Sequence, residues 1–392
     1  MKQTGLLFII TLLLYACGGE EKPATRHEQA IKEEGFTTDT LCGVYRRYTG
    51  TVAGQPVVLH YMQYSNMVTC QYYYVSEGKN IHIYSATNRL HNNPLVLIET
   101  PETEREKDNP ASWYITITED SLKGEWLSGD SEITYPILLK EDYTNGAQQF
   151  SIVCMTDSVN FIDSLPEPKA STTYEVLLPV GDDEGTKFVR TAIYNCIGCD
   201  TIAGDDMKSC LDGLKSKYFA DYRHVSDEEK KLYTSAASFG NWSEQTNFWV
   251  VYNDDGMLVV NHHVYAYTGG AHGNYSSHYL CIDSRDKKLL KLEDVLQADT
   301  VQMVRLLEEE ARKLYNIAEE APLYANMLTE ELYIPEQFYI SNKGITFVYG
   351  IYEVAAYAEG EISLFIPYNK IMGMLTPWFK QRMKLEQLAA NK

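Results

Sequence analysis

Between residues 38 and 156 the chain repeats one short pattern. Runs of β-branched and aromatic residues alternate with turn formers: Val57-Val58-Leu59-His60-Tyr61, Val68 to Val75, Ile81 to Ser85, Leu95 to Ile98, Trp113 to Ile117 and Ile133 to Ile137. Gly54, Gly78-Lys79-Asn80, Asn92-Asn93-Pro94 and Gly124 punctuate them. Strands this short, at spacings a tight turn can bridge, pair antiparallel with their neighbours. Alternation such as Trp113-x-Ile115-x-Ile117 buries one face of each strand. The expected fold of this region is an antiparallel β-meander or small open barrel.

The remainder mixes periods, so the chain as a whole reads as α+β. Residues 157–169, with Pro166 and Pro168, read as a linker. Residues 170–256 read as strand, strand, helix, strand, with strands at Tyr174–Leu178 and Phe188–Ile193 and a helix from Ser209 to Tyr222 capped by Asp205 or Asp206. Asn253-Asp254-Asp255-Gly256 suits a hairpin turn that needs positive φ. Residues 257–376 continue with strands, a helix over Thr300 to Tyr315 and a closing helix over Tyr368 to Leu375. Residues 377–392, opening at Pro377, read as an exposed tail.

The N-terminus reads as a secretion signal. Lys2 precedes an apolar run from Leu6 to Leu14, too short to span a bilayer, and Leu14-Tyr15-Ala16-Cys17 has the form of a lipobox. The expectation is a signal peptide over 1–16, a lipid on Cys17 as the sole membrane attachment, and a polar tether over 17–37. Glu20-Glu21 resembles the surface-export signal of Bacteroidetes lipoproteins. The expected location is the cell envelope, anchored to the outer membrane and facing the periplasm or the exterior.

Eight cysteines fit an oxidising compartment. Cys196-Ile197-Gly198-Cys199 sits between strand-like and loop-like sequence rather than at a helix start. A local disulfide drawing on Cys196, Cys199 and Cys210 is therefore favoured over redox activity. A net charge of −20 argues against nucleic acid and anionic lipid as partners and favours a cationic one.

The strongest single motif is Tyr265-Ala266-Tyr267-Thr268-Gly269-Gly270-Ala271-His272-Gly273: alternating rings running into a glycine-rich turn. It is followed by Phe338 to Phe347, then Tyr352-Glu353-Val354-Ala355-Ala356-Tyr357-Ala358-Glu359-Gly360, then Ile366-Pro367-Tyr368. This ordered set resembles the C-terminal extracellular domain family of the lysozyme-sensing anti-sigma factor RsiV and the peptidoglycan deacetylase PdaC, a domain of unknown function. The resemblance covers residues 170–376, most strongly the last hundred. It implies a two-part α+β module of antiparallel sheet with packed helices. The deacetylase domain and the anti-sigma segment of those relatives have no counterpart here, so neither activity is expected.

What remains is a binding reading, with contacts placed at Tyr265, Tyr267, Gly270, His272 and Tyr357 and a peptidoglycan fragment or a cationic protein such as lysozyme as ligand. An enzyme on cell-wall glycan and a scaffold in an outer-membrane complex are the alternatives. No catalytic residue is assigned: no nucleophile elbow, phosphate loop or dinucleotide fingerprint occurs. No cofactor or metal is expected, because His262 and His263 are consecutive on a strand and point to opposite faces, away from a shared ion. Thr40, Ser121, Ser158, Ser164, Thr201 and Thr300 follow an aspartate and precede an aliphatic residue, a pattern that resembles the Bacteroidetes O-glycosylation sequon.

Overall fold

The computed structural model describes residues 25–64, 67–85, 94–100, 109–199, 206–225, 227–235, 237–297, 299–325 and 327–385. The signal segment, Cys17, Glu20-Glu21 and Thr201 lie outside these residues. Among the described residues no helix is long and apolar enough to cross a membrane.

A short helix, α1 (Arg26–Glu33), precedes the first strand. The strand-rich region is a closed barrel. Strands β1 (Leu41–Val52), β2 (Gln55–Tyr64), β3 (Met67–Tyr74), β4 (Ile81–Ser85), β5 (Leu95–Glu99), β6 (Ser112–Ile117), β7 (Ser121–Leu127) and β8 (Thr134–Glu141) pair antiparallel in sequence order, and β8 returns to β1. Closure pairs Tyr48 with Glu141 and Val52 with Ile137. The interior is filled by alternate residues: Tyr48, Leu59, Cys70, Tyr72, Ile83, Leu97, Trp113, Ile115, Leu122 and Ile137. An eight-stranded barrel is just wide enough for such a side-chain core. Gly124, which its turn-forming character assigned to a loop, lies within β7 instead. A Cβ there would collide with the Tyr114 carbonyl of β6, so glycine lets the wall curve tightly.

The barrel is not a separate sheet. The first part of β1 leaves β8 and pairs Val44 with Ser151 of β9 (Gln149–Asn160). From there the sheet runs through β10 (Lys169–Val180), β11 (Trp242–Asp254), β12 (Met257–Tyr267), β13 (Asn274–Asp283) and β14 (Lys288–Leu289). Strands β9 and β10 pair over their full length, so of residues 157–169 only 161–168 form a connection, a hairpin turn. Phe161 of that turn packs edge-on against Tyr222 and Tyr233. The proline-rich composition marked a turn, not an inter-domain linker.

Between β10 and β11, which run parallel, the chain crosses over through α2 (Glu184–Cys196), α3 (Met207–Arg223) and α4 (Asp227–Ser235). Phe188–Ile193 is thus helical rather than extended: Asp183 caps the helix by accepting from the Thr186 amide, and Val189 and Ile193, one turn apart, are fully buried. The β-branched run concealed the i, i+4 pair. Asp206 caps α3 through the Ser209 amide. The helices cover one face of the sheet, where Val189, Ile193, Met207 and Leu211 meet Val176, Leu178, Phe248, Val250, Leu258 and Val260.

The other face carries a second layer: α5 (Leu292–Val295), α6 (Thr300–Leu314), a small antiparallel sheet of β15 (Gln337–Ile340), β16 (Gly344–Tyr349) and β17 (Ile362–Pro367), then α7 (Tyr368–Ile371) and α8 (Pro377–Arg382). Met257, Val259 and Cys281 pack there with Leu307, Phe338, Phe347 and Ile366, as do Val58 and Tyr73 from the outside of the barrel.

Both presumed loose ends are partly built in. Thr25 and Glu28 form a reciprocal capping box on α1, and Ile31 and Phe36 are buried, so the tether ends before residue 25. Pro377 starts α8 instead of a tail, since proline is favoured in a first helical turn, and Phe379 and Leu385 are buried. The hairpin at Asp255-Gly256 is as expected, with φ of 53° and 74°.

Among the described residues two disulfides form, Cys42–Cys154 and Cys199–Cys210, while Cys70, Cys196 and Cys281 are free. Cys42–Cys154 fastens β1 to β9. Cys196 is left out of the local disulfide because its helical position sets it against β12, where its sulfur lies 3.1 Å from His262 Nδ1.

Candidate functional site

The rings of Tyr265 and Tyr267 leave the same face of β12, and the chain then turns sharply through Gly269 and Gly270, at φ of 94° and 99°. The Tyr267 hydroxyl donates to the Gly270 carbonyl at 3.0 Å, closing the turn on itself. Gly273 lies directly over the Tyr265 ring, where any side chain would collide. These tyrosines and glycines therefore shape the loop, and what the loop presents is His272.

His272 is oriented from two sides. Its Nδ1 donates to the Gly273 carbonyl at 2.9 Å, leaving Nε2 as acceptor for the Tyr352 hydroxyl at 3.4 Å. Its ring stacks on Tyr357 with centroids 4.2 Å apart, and the Tyr357 hydroxyl donates to the same Gly273 carbonyl at 2.8 Å. Tyr352 completes the group 5.5 Å from Tyr357; it is 53% exposed and held at a φ of 63°, in the left-handed region that a bulky residue rarely occupies. Inward, the rings continue through Tyr275, His263 and Trp249, at centroid separations of 6.1, 5.3 and 4.8 Å.

Outward, the surface is aromatic and acidic. Tyr333 is 47% exposed and its hydroxyl bonds Glu353, whose carboxylate also accepts from the Gly350 amide. Leu328, 61% exposed, is tied by its amide to the Val354 carbonyl. Glu359 follows Tyr357 on the exposed short helix Tyr357–Glu359. Glu361, partly buried, has its carboxyl pushed up by desolvation and opposed by hydrogen bonds from Ser277.

Of the sequence-derived contact residues, the fold brings His272 and Tyr357 into direct contact and uses Tyr265, Tyr267 and Gly270 to shape the turn. Tyr352 and Tyr275 were missed as partners. Tyr352 stands in the same short segment as Tyr357, but nothing in strand periodicity signals a ring held at positive φ.

The other histidines do different work. His262 faces the helices, stacked on Phe248 at 4.7 Å, whereas His263 stacks on Trp249 on the opposite face. Burial lowers both to about 4, with His278 and His263 adding to the shift on His262. Burial pushes the Cys196 thiol up to about 11, so the Cys196–His262 contact is one between neutral groups rather than an activated thiolate. Among the described residues, no group of three or more His, Cys, Asp or Glu is placed to hold a metal ion. Ser158, Ser164 and Thr300 are exposed, while Thr40 and Ser121 are partly covered and hydrogen-bonded to Thr37 and Asp120.

Residues 287–369 match the model of a family described as "Protein of unknown function (DUF3298)". The matched range includes Tyr352 and Tyr357 but begins after the turn that carries His272. The crystal structure of a DUF3298 family member from Bacteroides fragilis is similar at a TM-score of 0.55 and 23% identity, covering 61% of this chain and 98% of that one. A DUF3298 family protein from Pseudomonas aeruginosa aligns with a TM-score of 0.41 and 16% identity, covering 58% of this chain and 95% of that one. No curated protein matches the chain. The first likeness is one of fold; neither description states a ligand or a reaction.

Proposed function

We propose that this chain, which carries a DUF3298 domain over residues 287–369, is a non-catalytic, lipid-anchored envelope protein that binds its ligand on the surface formed by His272, Tyr352 and Tyr357. The observation that carries this reading is the exposed Tyr352 ring, held at a φ of 63° beside an imidazole fixed on both nitrogens. Strained exposed residues persist where the surroundings impose them, and tyrosine is a favoured contact residue at interfaces.

The resemblance to the extracellular domain of the lysozyme sensor points to a cationic protein as ligand. The acidic side chains Glu353 and Glu359 and the net charge of −20 favour the same class. A peptidoglycan fragment is the second ligand class, favoured by stackable rings. The groups that hold His272 are a carbonyl and a phenol, which orient an imidazole but do not supply the carboxylate partner of a general base.

The test is titration of the lipid-free chain with a c-type lysozyme at physiological and at high salt, alongside Tyr352→Ala. Saturable binding that persists in salt and weakens at least about tenfold in the variant supports the reading. Binding abolished by modest salt, or unchanged in the variant, removes lysozyme from consideration. The same titration with muropeptides then decides whether the surface binds at all.

A further inference from the structure

The two ends of the barrel are built differently. At one end Arg46 donates to the carbonyls of Thr118 and Glu119 at 3.2 and 2.9 Å and lies 3.7 Å from the Glu141 carboxylate. That end is closed by a charge already paired. At the other end stands Glu99, the last residue of β5, on the inward face with Leu95 and Leu97.

One oxygen of Glu99, Oε1, accepts three hydrogen bonds: from the Tyr72 hydroxyl at 2.7 Å, the Trp113 indole at 2.9 Å and the Trp126 indole at 2.8 Å. All three donors are neutral, so none cancels the carboxylate charge, and Oε2 is engaged by none of them. Rings surround the group. Trp126 stacks on Tyr135 at 5.6 Å, Tyr72 meets Trp113 edge-on at 4.8 Å, and Tyr74 lies 5.8 Å from Tyr72. Trp113 is fully buried beneath, whereas Tyr135 is 42% exposed at the rim.

We propose that this mouth of the barrel binds a small organic ammonium ion, with Glu99 as counter-charge and Trp126, Tyr135 and Tyr74 as the aromatic wall. A carboxylate fixed at the edge of an apolar core attracts a cation more strongly than one in water, because the local dielectric is low. Ring faces add a further attraction for ammonium groups. Anions are repelled by both features. A lipid chain is excluded, since Leu97, Trp113, Ile115 and Ile137 fill the barrel directly below. The site is one layer deep, which suits a small free cation. It is far in sequence from the His272 surface and independent of the function proposed for it.

The experiment is a tetramethylammonium chloride titration of the whole chain at constant ionic strength, read by tryptophan fluorescence, because two indoles bond the proposed counter-ion. A saturable response is expected, with no response to tert-butanol, the uncharged analogue of similar shape. Glu99→Gln keeps an acceptor for the indoles and should weaken binding about tenfold or more. Tyr135→Ala removes an exposed wall residue and should weaken it several-fold, and it carries the test should Glu99→Gln fail to fold. No saturation in the native chain, equal affinity in Glu99→Gln or Tyr135→Ala, or an equal response to tert-butanol overturns the proposal.

Discussion

Arg382, on the last described helix, donates through Nε to Asp283 Oδ2 at 2.6 Å and through a terminal nitrogen to Asp283 Oδ1 at 3.1 Å, and Asp283 is wholly buried at the end of β13. The same guanidinium donates to the Asp255 carbonyl at 2.8 Å, so it pins the β11–β12 hairpin from beneath. Removing one partner of such a pair leaves an uncompensated buried charge, at a cost of about 3–5 kcal/mol. Arg382→Ala is therefore expected to lower unfolding stability by that amount in urea titration. A loss below about 0.5 kcal/mol, the size of an ordinary surface change, would contradict the clamp.

Cys42 and Cys154 close a loop of 112 residues that contains the whole barrel. On the chain-entropy account, cross-linking a loop of this length stabilises by about 4–5 kcal/mol, against about 3 for one near 15 residues. The double variant Cys42→Ser, Cys154→Ser should thus lose more stability than Cys199→Ser, Cys210→Ser, whose separation is 11. Denaturant midpoints of the two variants decide it, and the reverse order would refute the entropic reading.

Acid should weaken the fold before the carboxylate range is reached. His60 is fully buried beside Arg47 and held well below its ordinary value, and burial lowers His82, His262 and His263 to about 4. These imidazoles stay neutral in the native chain while the unfolded chain takes up protons near pH ~6.5, so stability is full above that pH and falls as pH drops toward about 4. Each such group contributes a slope of roughly 1.4 kcal/mol per pH unit inside the window. Glu175, Glu244 and Glu361, raised by burial, act in the opposite sense at the acid end. Melting temperature should fall between about pH 7 and about pH 5, with a shallower slope in His82→Gln. A flat profile would mean that these rings are solvated.

Tyr352 separates function from stability. Glycine at a φ of 63° removes steric cost, so Tyr352→Gly should bind ligand poorly yet melt no lower than the native chain, gaining up to about 1 kcal/mol. His272→Ala loses its bond to Gly273 and its stacking on Tyr357, so it should destabilise by about 1–2 kcal/mol as well as weaken binding. Equal melting losses in the two variants would make Tyr352 a structural residue.

Local pattern revealed six of the eight barrel strands, β1 and β7 being missed, and with them the Asp255-Gly256 hairpin, the α6 helix and the His262/His263 split, because each rests on a period or a turn within about ten residues. It did not reveal what depends on distant pairing. Nothing near Leu41 signals that β1 serves both barrel and sheet, and nothing near Glu99 announces two indoles contributed by β6 and β7. Phe188–Ile193 misled because β-branched residues suit a strand on propensity, while capping by Asp183 and packing of Val189 and Ile193 decide for helix. At the candidate site, His272 and Tyr357 were legible from their motifs. Tyr352 was not, since its role depends on a backbone angle.

Because β1 lends hydrogen bonds to β2, β8 and β9 in turn, no point in the chain divides it into two self-sufficient halves. A fragment ending before β9 leaves part of β1 as a bare edge, and one beginning at β9 exposes the matching edge. Such edges recruit strands from other molecules. Expression of either half alone thus invites aggregation, and the barrel mouth and the His272 surface are best studied in the uncut protein.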